Sequence, residues 1–495
     1  MKVLILIPFI FYLISLFAYS YFKNRNITLD KTDFFLGNRK TGLFLTAISF
    51  AVSSRSSWLL LGITTQAYVM GFSAIWLVLG FFIAEGLLFV FIFPLLRKFS
   101  GIKNMETITD IFSFRFKDDS SALKIIITLV VLFFTVLFIS AQFVGGGSTF
   151  YALLGISNIY GIIITAITTL LIILLGGHRL LSRLDFFNSV LIFGTLLFLA
   201  IFVFTQIDSF AFIHSEIIKN QPEYFKLRII AIGSFIGFLS IGLSSAGNPG
   251  ILFKFMSVSE RVSFPKLAII SSILSIIMGC SAIIVGLAAR MYFPLTEAIP
   301  GADAQNAFLG LAGELLHPIL LGVVLCTIFA SLMSSASAQI MVTGSSLLND
   351  IYSAILSRNK SHTPVKLRFV ASFAVVLIVY IAIVPAILID TDFYGLILFA
   401  WAGFGASIGP ALIAAFKWKG ASIYGIYAGV INGALTVVIW KIIPGFSEAI
   451  YELIPGIIVS FISIWLGSYF EKKLIEIRFN RKASYDEIKK SNLNQ

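Results

Sequence analysis

The chain has 495 residues, of which 58% are hydrophobic and 12% charged, with a mean hydropathy of +0.97 and a net charge of +12. A soluble domain carries about 25% charged residues to wet its surface, so these figures exclude a soluble globular protein. They also exclude a disordered chain, a nucleic-acid binder and a disulfide-built secreted scaffold. What remains is a set of apolar runs of 18 residues or more, long enough to cross a bilayer as helices and too uniform for barrel strands.

Reading apolar runs between charges predicts thirteen spans in chain order. They lie at roughly 3–21, 42–68, 74–96, 124–150, 158–176, 185–206, 229–255, 264–289, 316–346, 368–388, 394–416, 420–440 and 453–470. With the N-terminus outside and the C-terminus cytoplasmic, 29 of the 36 Lys and Arg fall on inner segments, six on outer ones, and Arg55 within a span. That asymmetry sets the orientation and assigns most of the basic excess to topology. Residues 1–20 also have the look of a signal peptide, with Ala18-Tyr19-Ser20 as a small-x-small site. Such a peptide enters with its N-terminus inside and would turn the following basic segments outward, so a retained first span is expected. The tail 471–495 mixes seven basic with four acidic residues and is expected to be a solvated cytoplasmic end.

Cys280 and Cys326 both sit inside apolar runs, and His178, His214, His317 and His362 are scattered without metal-ligand spacing. Neither a zinc nor a haem site is expected. No Ser/His/Asp set or paired carboxylates appear at shared depth, so an enzyme is not expected either.

Two spans are broken at mid-depth. The second carries Ser53-Ser54-Arg55-Ser56-Ser57, and the seventh carries Ser244-Ser245-Ala246-Gly247-Asn248-Pro249-Gly250. Pro249 lacks an N–H, and the glycines beside it remove the penalty for irregular backbone. In hydrocarbon such backbone is tolerated only where it lines a cavity or is buried in protein. The breaks lie five spans apart, so one broken helix runs inward where the other runs outward. This is the trace of an inverted five-plus-five repeat. It predicts repeats at 42–206 and 207–416, an extra N-terminal helix and loop at 1–41, two C-terminal helices at 417–470 and the tail at 471–495. Incidental kinks are the alternative, since Gly and Pro are common in membrane helices.

At these residues the chain resembles the sodium:solute symporter family, and within it the sodium/proline symporters. The matching stretches run in order: Phe34-Phe35-Leu36-Gly37-Asn38-Arg39, Trp58-Leu59-Leu60-Leu61-Gly62, Thr107-Ile108-Thr109-Asp110 with Arg115-Phe116, Gly247-Asn248-Pro249, Ala330-Ser331-Leu332-Met333-Ser334-Ser335, and Asn349-Asp350-Ile351-Tyr352. The resemblance implies an all-α integral membrane protein of the leucine-transporter type, with one extra N-terminal and two C-terminal helices. It also implies a co-transported sodium ion between the second and ninth spans. The ion would be held by the backbone carbonyls of Val52, Arg55 and Ser331 and by the hydroxyls of Ser334 and Ser335. A carbonyl at i and hydroxyls at i+3 and i+4 share one helix face, and a hard cation takes oxygen ligands. Small-residue helix packing is the competing reading of the same serines. Asp185 matches a family aspartate linked in some members to a further sodium; capping of the sixth span is the alternative.

The solute is expected against the two breaks, at Ser53, Ser54, Ser56, Ser57, Trp58, Gly247, Asn248 and Pro249, and against Gln142 near the outer end of the fourth span and Phe138 one turn below it. Gln66, Ser140 and Asn188 are further polar residues facing the pathway. Some members carry an acidic residue at the position of Ser54, and the proline carriers have aromatics where Ile241 and Ser245 stand. Arg55 is the most unusual residue, because an arginine at bilayer depth is costly unless paired or hydrated. Glu85 in the third span lies at similar depth. A structural ion pair, a counter-ion for a substrate carboxylate, and a built-in substitute for sodium are three readings of Arg55.

The expectation is a multi-pass secondary transporter of the cell (inner or plasma) membrane, coupling sodium influx to uptake of a small organic solute, an amino acid such as proline. The alternatives are a sodium-independent transporter of the same fold and a transporter-like solute sensor. Its partners are a small-molecule solute and the lipid bilayer, with no nucleic acid and no obligate protein partner.

Overall fold

The computed structural model describes residues 2–24, 41–102, 105, 107–118, 120–206, 223–228, 232–356, 364–389 and 393–493. The matched stretch at 34–39 lies outside them. Regular structure among the described residues is helical, apart from one isolated bridge between Thr41 and Val258. Among the described residues, eleven helical stretches are long and apolar enough to cross a membrane, and a twelfth is a pair of helices bent by 53°.

The first span is α1, Lys2–Asn24. The second is broken as its sequence predicts: α2 covers Leu43–Ser53, a 3-10 turn covers Ser56–Leu59, and α3 covers Gly62–Met70. Gly71 then takes φ +67, and a side chain there would lie 2.1 Å from the carbonyl oxygen of Tyr224. This left-handed residue ends α3 before α4 (Ile75–Phe91) and α5 (Phe93–Ile102). A short helix α6, Ile108–Phe116, follows in the loop. It starts with a capping box in which Thr107 and Asp110 satisfy each other's backbone N–H groups. Then come α7 (Ala122–Leu154) and α8 (Asn158–Phe204).

The fifth and sixth spans were expected to be separated by a loop at 177–184. Instead the backbone stays helical from Asn158 to Phe204, with apolar windows at Asn158–Leu175 and Arg183–Phe204. Charge and glycine mark where a chain leaves the apolar phase, not where its i to i−4 hydrogen bonds stop. The same lesson applies at the C-terminus. The last helix runs Leu453–Leu493, well past the predicted end at 470, while its apolar part ends at Leu474.

The seventh span consists of α9 (Ile232–Leu243), a 3-10 turn at Ser244–Ala246 and α10 (Pro249–Met256). It is followed by α11 (Phe264–Tyr292), α12 (Ala307–Leu315) and α13 (Pro318–Ser346), which passes into a π-helix at Leu347–Leu356. The remaining long helices are α14 (Pro364–Leu388), α15 (Phe393–Lys417), α16 (Ile423–Ile442) and α17 (Leu453–Leu493).

The packing places both breaks at the centre. Helix α13 lies against α7, α8 and the 3-10 turn of the second span, α11 covers α2 and α3, and α15 lies against the 3-10 turn of the seventh span. Four-fifths of the most apolar stretches of α13 and α15 are buried in protein (78% and 83%), against 22% for α1. The buried cysteine Cys326 and the half-buried Cys280 are both free thiols and pack among these helices.

Candidate functional site

At the first break the chain leaves α-geometry after Ser53, and the Arg55 N–H reaches the Val52 carbonyl at a stretched 3.3 Å. Ser54, Ser57 and Trp58 are buried. The side chains of Ser53 and Ser56 lie outside the described residues.

Arg55 is 2% exposed and fully engaged. Its Nη2 donates to Glu85 Oε2 at 2.8 Å, and Glu85 is also 2% exposed. Its Nη1 donates to Ser275 Oγ on α11 at 2.8 Å, to the Ala51 carbonyl at 3.1 Å and to Ser54 Oγ at 3.4 Å. The guanidinium carbon also stands 5.1 Å from the centre of the Phe81 ring. The partner expected from equal depth is the one found, whereas Ser275 could not be read from sequence. A charge so committed is turned towards α4 and α11.

At the second break Asn248 caps α10, its Oδ1 accepting the Ile251 N–H at 3.2 Å, and Pro249 occupies the first turn, where a missing N–H costs nothing. The same Oδ1 accepts from Gln339 Nε2 on α13 at 2.6 Å. A side chain at Gly247 would lie 1.9 Å from the carbonyl oxygen of Phe404, so α15 approaches the break as closely as only glycine permits.

On α13, Ser331 and Ser335 are buried and Ser334 is partly so. Ser334 donates to Asp185 Oδ1, and Ser49 on α2 donates to Asp185 Oδ2. Lys254 on α10 reaches the same group: its Nζ lies 2.7 Å from Asp185 Oδ2, 2.7 Å from Ser49 Oγ and 3.5 Å from the Ser49 carbonyl. Asp185 therefore ties together α2, α8, α10 and α13, meeting α2 at Ser49, one turn before Val52. This replaces the capping alternative, because Asp185 sits within the continuous helix α8 and bonds three other helices. These groups line a cavity of about 70 Å³, together with Thr46, Asn188 and Ser337. A single water needs only ~10–15 Å³. The buried Oγ atoms of Ser331 and Ser337 have no hydrogen-bond partner among the described residues.

Lys254 was counted with the inner-loop charges, being only two residues from the end of α10. The signal that finds it is its place five residues after Pro249, inside an apolar run. An ionisable residue there has to face a cavity or a partner.

On the other side of the break, Ser57 Oγ donates to Gln142 Oε1 at 2.8 Å, so two of the predicted solute residues meet. Gln142 Nε2 in turn donates to the Phe138 carbonyl at 3.5 Å. The fully buried Trp58 forms an aromatic wall with Phe81, Tyr394 and Trp401, at ring separations of 5.3, 6.1 and 5.4 Å. Its indole Nε1 has no hydrogen-bond partner among the described residues. Tyr394 and Trp401 were not singled out from sequence, since an aromatic in an apolar helix is usually core. Ser140 bonds the carbonyls of Val136 and Ala382 and Asn188 accepts from Tyr12, so both hold helices together.

Two of the matched stretches meet away from this centre. Asp350, fully buried on the π-helix, accepts from Thr109 on α6 at 2.7 Å and from Thr128 on α7 at 2.9 Å. Lys124 bridges Asp110, at 2.6 Å, towards Asp350, at 4.0 Å.

A family model described as "Sodium:solute symporter family" matches residues 34–433. The chain belongs to the sodium:solute symporter family. A sodium/proline symporter of Staphylococcus aureus is 30% identical over 480 residues, spanning 95% of this chain and 93% of the relative. Another, from S. aureus strain USA300 / TCH1516, is 29% identical over 473 residues, spanning 93% and 92%. Among solved structures, a Na+-coupled sialic acid symporter in a substrate-bound outward-open state is 16% identical with a TM-score of 0.75, covering 94% of this chain and 97% of that one. A nucleobase-cation-symport-1 family transporter in a closed conformation gives 0.52 at 11% identity, covering 89% and 96%. The helices thus adopt the leucine-transporter type of fold. The symporter is a multi-pass membrane protein of the plasma membrane and a secondary transporter rather than an enzyme, moving a small-molecule solute with sodium as the co-transported ion.

Proposed function

We propose that this symporter uses inward sodium flow to accumulate a small amino acid, with proline as the first candidate, in the N-out, C-in orientation set by its charges. The carrying observation is the commitment of Arg55 to Glu85 and Ser275. With the guanidinium held there, sodium meets the carbonyls of Val52 and Arg55, the carbonyl of Ser331 and the hydroxyls of Ser334 and Ser335. Asp185, its charge met by Lys254, holds the Ser334 hydroxyl of that set through its other oxygen. The solute lies on the other side of the break, between Ser57, Gln142 and Phe138, the Trp58 wall and the backbone of Gly247, Asn248 and Pro249. Similarity to sodium/proline symporters supports proline. The two five-helix repeats expected at 42–206 and 207–416 supply one broken helix each.

The driving force is adequate. One charge crossing about 100 mV yields ~2.3 kcal/mol, and a roughly tenfold sodium gradient adds ~1.4 kcal/mol. Together they support several-hundred-fold accumulation at one-to-one stoichiometry. Labelled proline is expected to accumulate in proteoliposomes only with an inward sodium gradient. Uptake that proceeds equally in potassium sinks the sodium reading; sodium-driven uptake of other amino acids but not proline sinks the substrate alone.

Ser335→Ala is expected to raise the sodium concentration for half-maximal uptake several-fold, since a lost polar contact is worth about 0.5–1.5 kcal/mol. Ser334→Ala is expected to raise it further, because Ser334 also holds Asp185. Unchanged sodium dependence in both variants, at normal abundance, discards these ligands.

A further inference from the structure

Beside the sodium ligands stands a second cluster of oxygens that already holds a cation, and the cation belongs to the protein. The Lys254 ammonium is bound by the Asp185 carboxylate, the Ser49 hydroxyl and the Ser49 carbonyl. This mixture of carboxylate and neutral oxygens is the donor set a hard cation takes. Ser334 bonds the other oxygen of Asp185, so one carboxylate separates the ammonium from a proposed sodium ligand. Two features distinguish the cluster from an ordinary buried ion pair. It lines a cavity, and that cavity is also lined by Ser337, whose buried hydroxyl has no hydrogen-bond partner among the described residues. Lysine carries its charge as a compact, hydrated point on a flexible stem, and Lys254 and Asp185 keep 17% and 13% of their side chains exposed.

We propose that Lys254 is a tethered cation. It fills a second monovalent-cation site made by Asp185, Ser49, Ser334 and Ser337, and thereby limits the symporter to one bound sodium. With the ammonium gone, Asp185 and the hydroxyls around it form a site of one negative charge and several neutral oxygens, open to sodium through the cavity. Lys254 is thus the residue that sets how many ions drive each solute, and a Lys254-neutral variant draws on a steeper gradient. This inference rests on the sodium reading above.

The test is equilibrium binding of radioactive sodium to the purified full chain in detergent, alongside the sodium dependence of uptake. The wild type is expected to bind about one sodium with a Hill coefficient near 1, and Lys254→Met about two with a coefficient rising towards 2, the ceiling for two sites. Asp185→Asn/Lys254→Met, which removes both charges, is expected to return to about one. Lys254→Met binding a single sodium overturns the proposal, and so do two sodium ions on the wild type, a result that needs no variant. If Lys254→Met does not fold, Lys254→Gln keeps a hydrogen-bond donor without the charge and is read in the same way. No sodium on the wild type fails the sodium reading itself, which separates that failure from failure of the Lys254 assignment alone.

Discussion

Glu85→Ala is expected to destabilise the symporter by about 3–5 kcal/mol, the usual cost of stranding one partner of a buried ion pair. Both side chains are 2% exposed, and the guanidinium left behind keeps only Ser275, Ser54, the Ala51 carbonyl and the Phe81 ring. Arg55→Ala is expected to cost a similar amount by stranding the carboxylate. The double variant is expected to recover much of the loss, because two neutral side chains need no desolvated partner. Thermal unfolding in detergent and the folded fraction on size exclusion measure all three. Additive losses in the double variant show that the two sites do not couple and discard the pair as a structural unit. A well-folded Arg55→Ala with weakened solute affinity, beside a silent Glu85→Ala, moves the guanidinium to the solute instead.

Gly247→Ala is the second variant with a large expected effect. Its Cβ would come within 1.9 Å of the Phe404 carbonyl oxygen, a contact with backbone that cannot swing aside. Overpacking costs about 1–3 kcal/mol where neighbours can shift, and here α15 itself has to move. Loss of folded protein is expected, with activity falling in proportion. From sequence alone, replacing Gly247 and Pro249 by alanine promises a folded, inactive transporter with a mended helix. The approach of α15 removes that outcome for Gly247. Pro249→Ala separates the effects: it sits in the first turn of α10, Asn248 still caps that turn, and the folded yield is expected to hold. A wild-type unfolding temperature for Gly247→Ala defeats this account.

The fold was legible because membrane helices advertise themselves through apolar length, and because polar or helix-breaking residues at mid-depth have few innocent uses. Arg55 and the Gly247-Asn248-Pro249 stretch stand out for that reason, and the pairing of Arg55 with Glu85 followed from counting depth along two helices. Lys254 was missed because depth is uncertain by a few residues near a helix end, and one turn separates an inner-loop charge from an intramembrane one. Tyr394, Trp401 and Gln339 were missed for a different reason. Each belongs to a type that often packs between helices, so only tertiary contact with Trp58 or Asn248 singles it out. The continuity of α8 through Gly176-Gly177 was beyond reach, because hydropathy reports on solvent and not on backbone hydrogen bonding.

The clasp of Asp350 on Thr109 and Thr128 turns α13 into a lever. Ser334 stands near the middle of that helix and Asp350 just past its end, sixteen residues on and roughly 24 Å away at 1.5 Å per residue. A tilt of about 5° at the serines therefore sweeps the far end through roughly 2 Å, which is more than a hydrogen bond can stretch and survive. Any rearrangement at the serines on that scale must either tear Asp350 from both threonines or carry α6 and the first turns of α7 along with it. The loop helix is in that sense geared to the serines of α13, and the gearing ratio is written in the length of one helix.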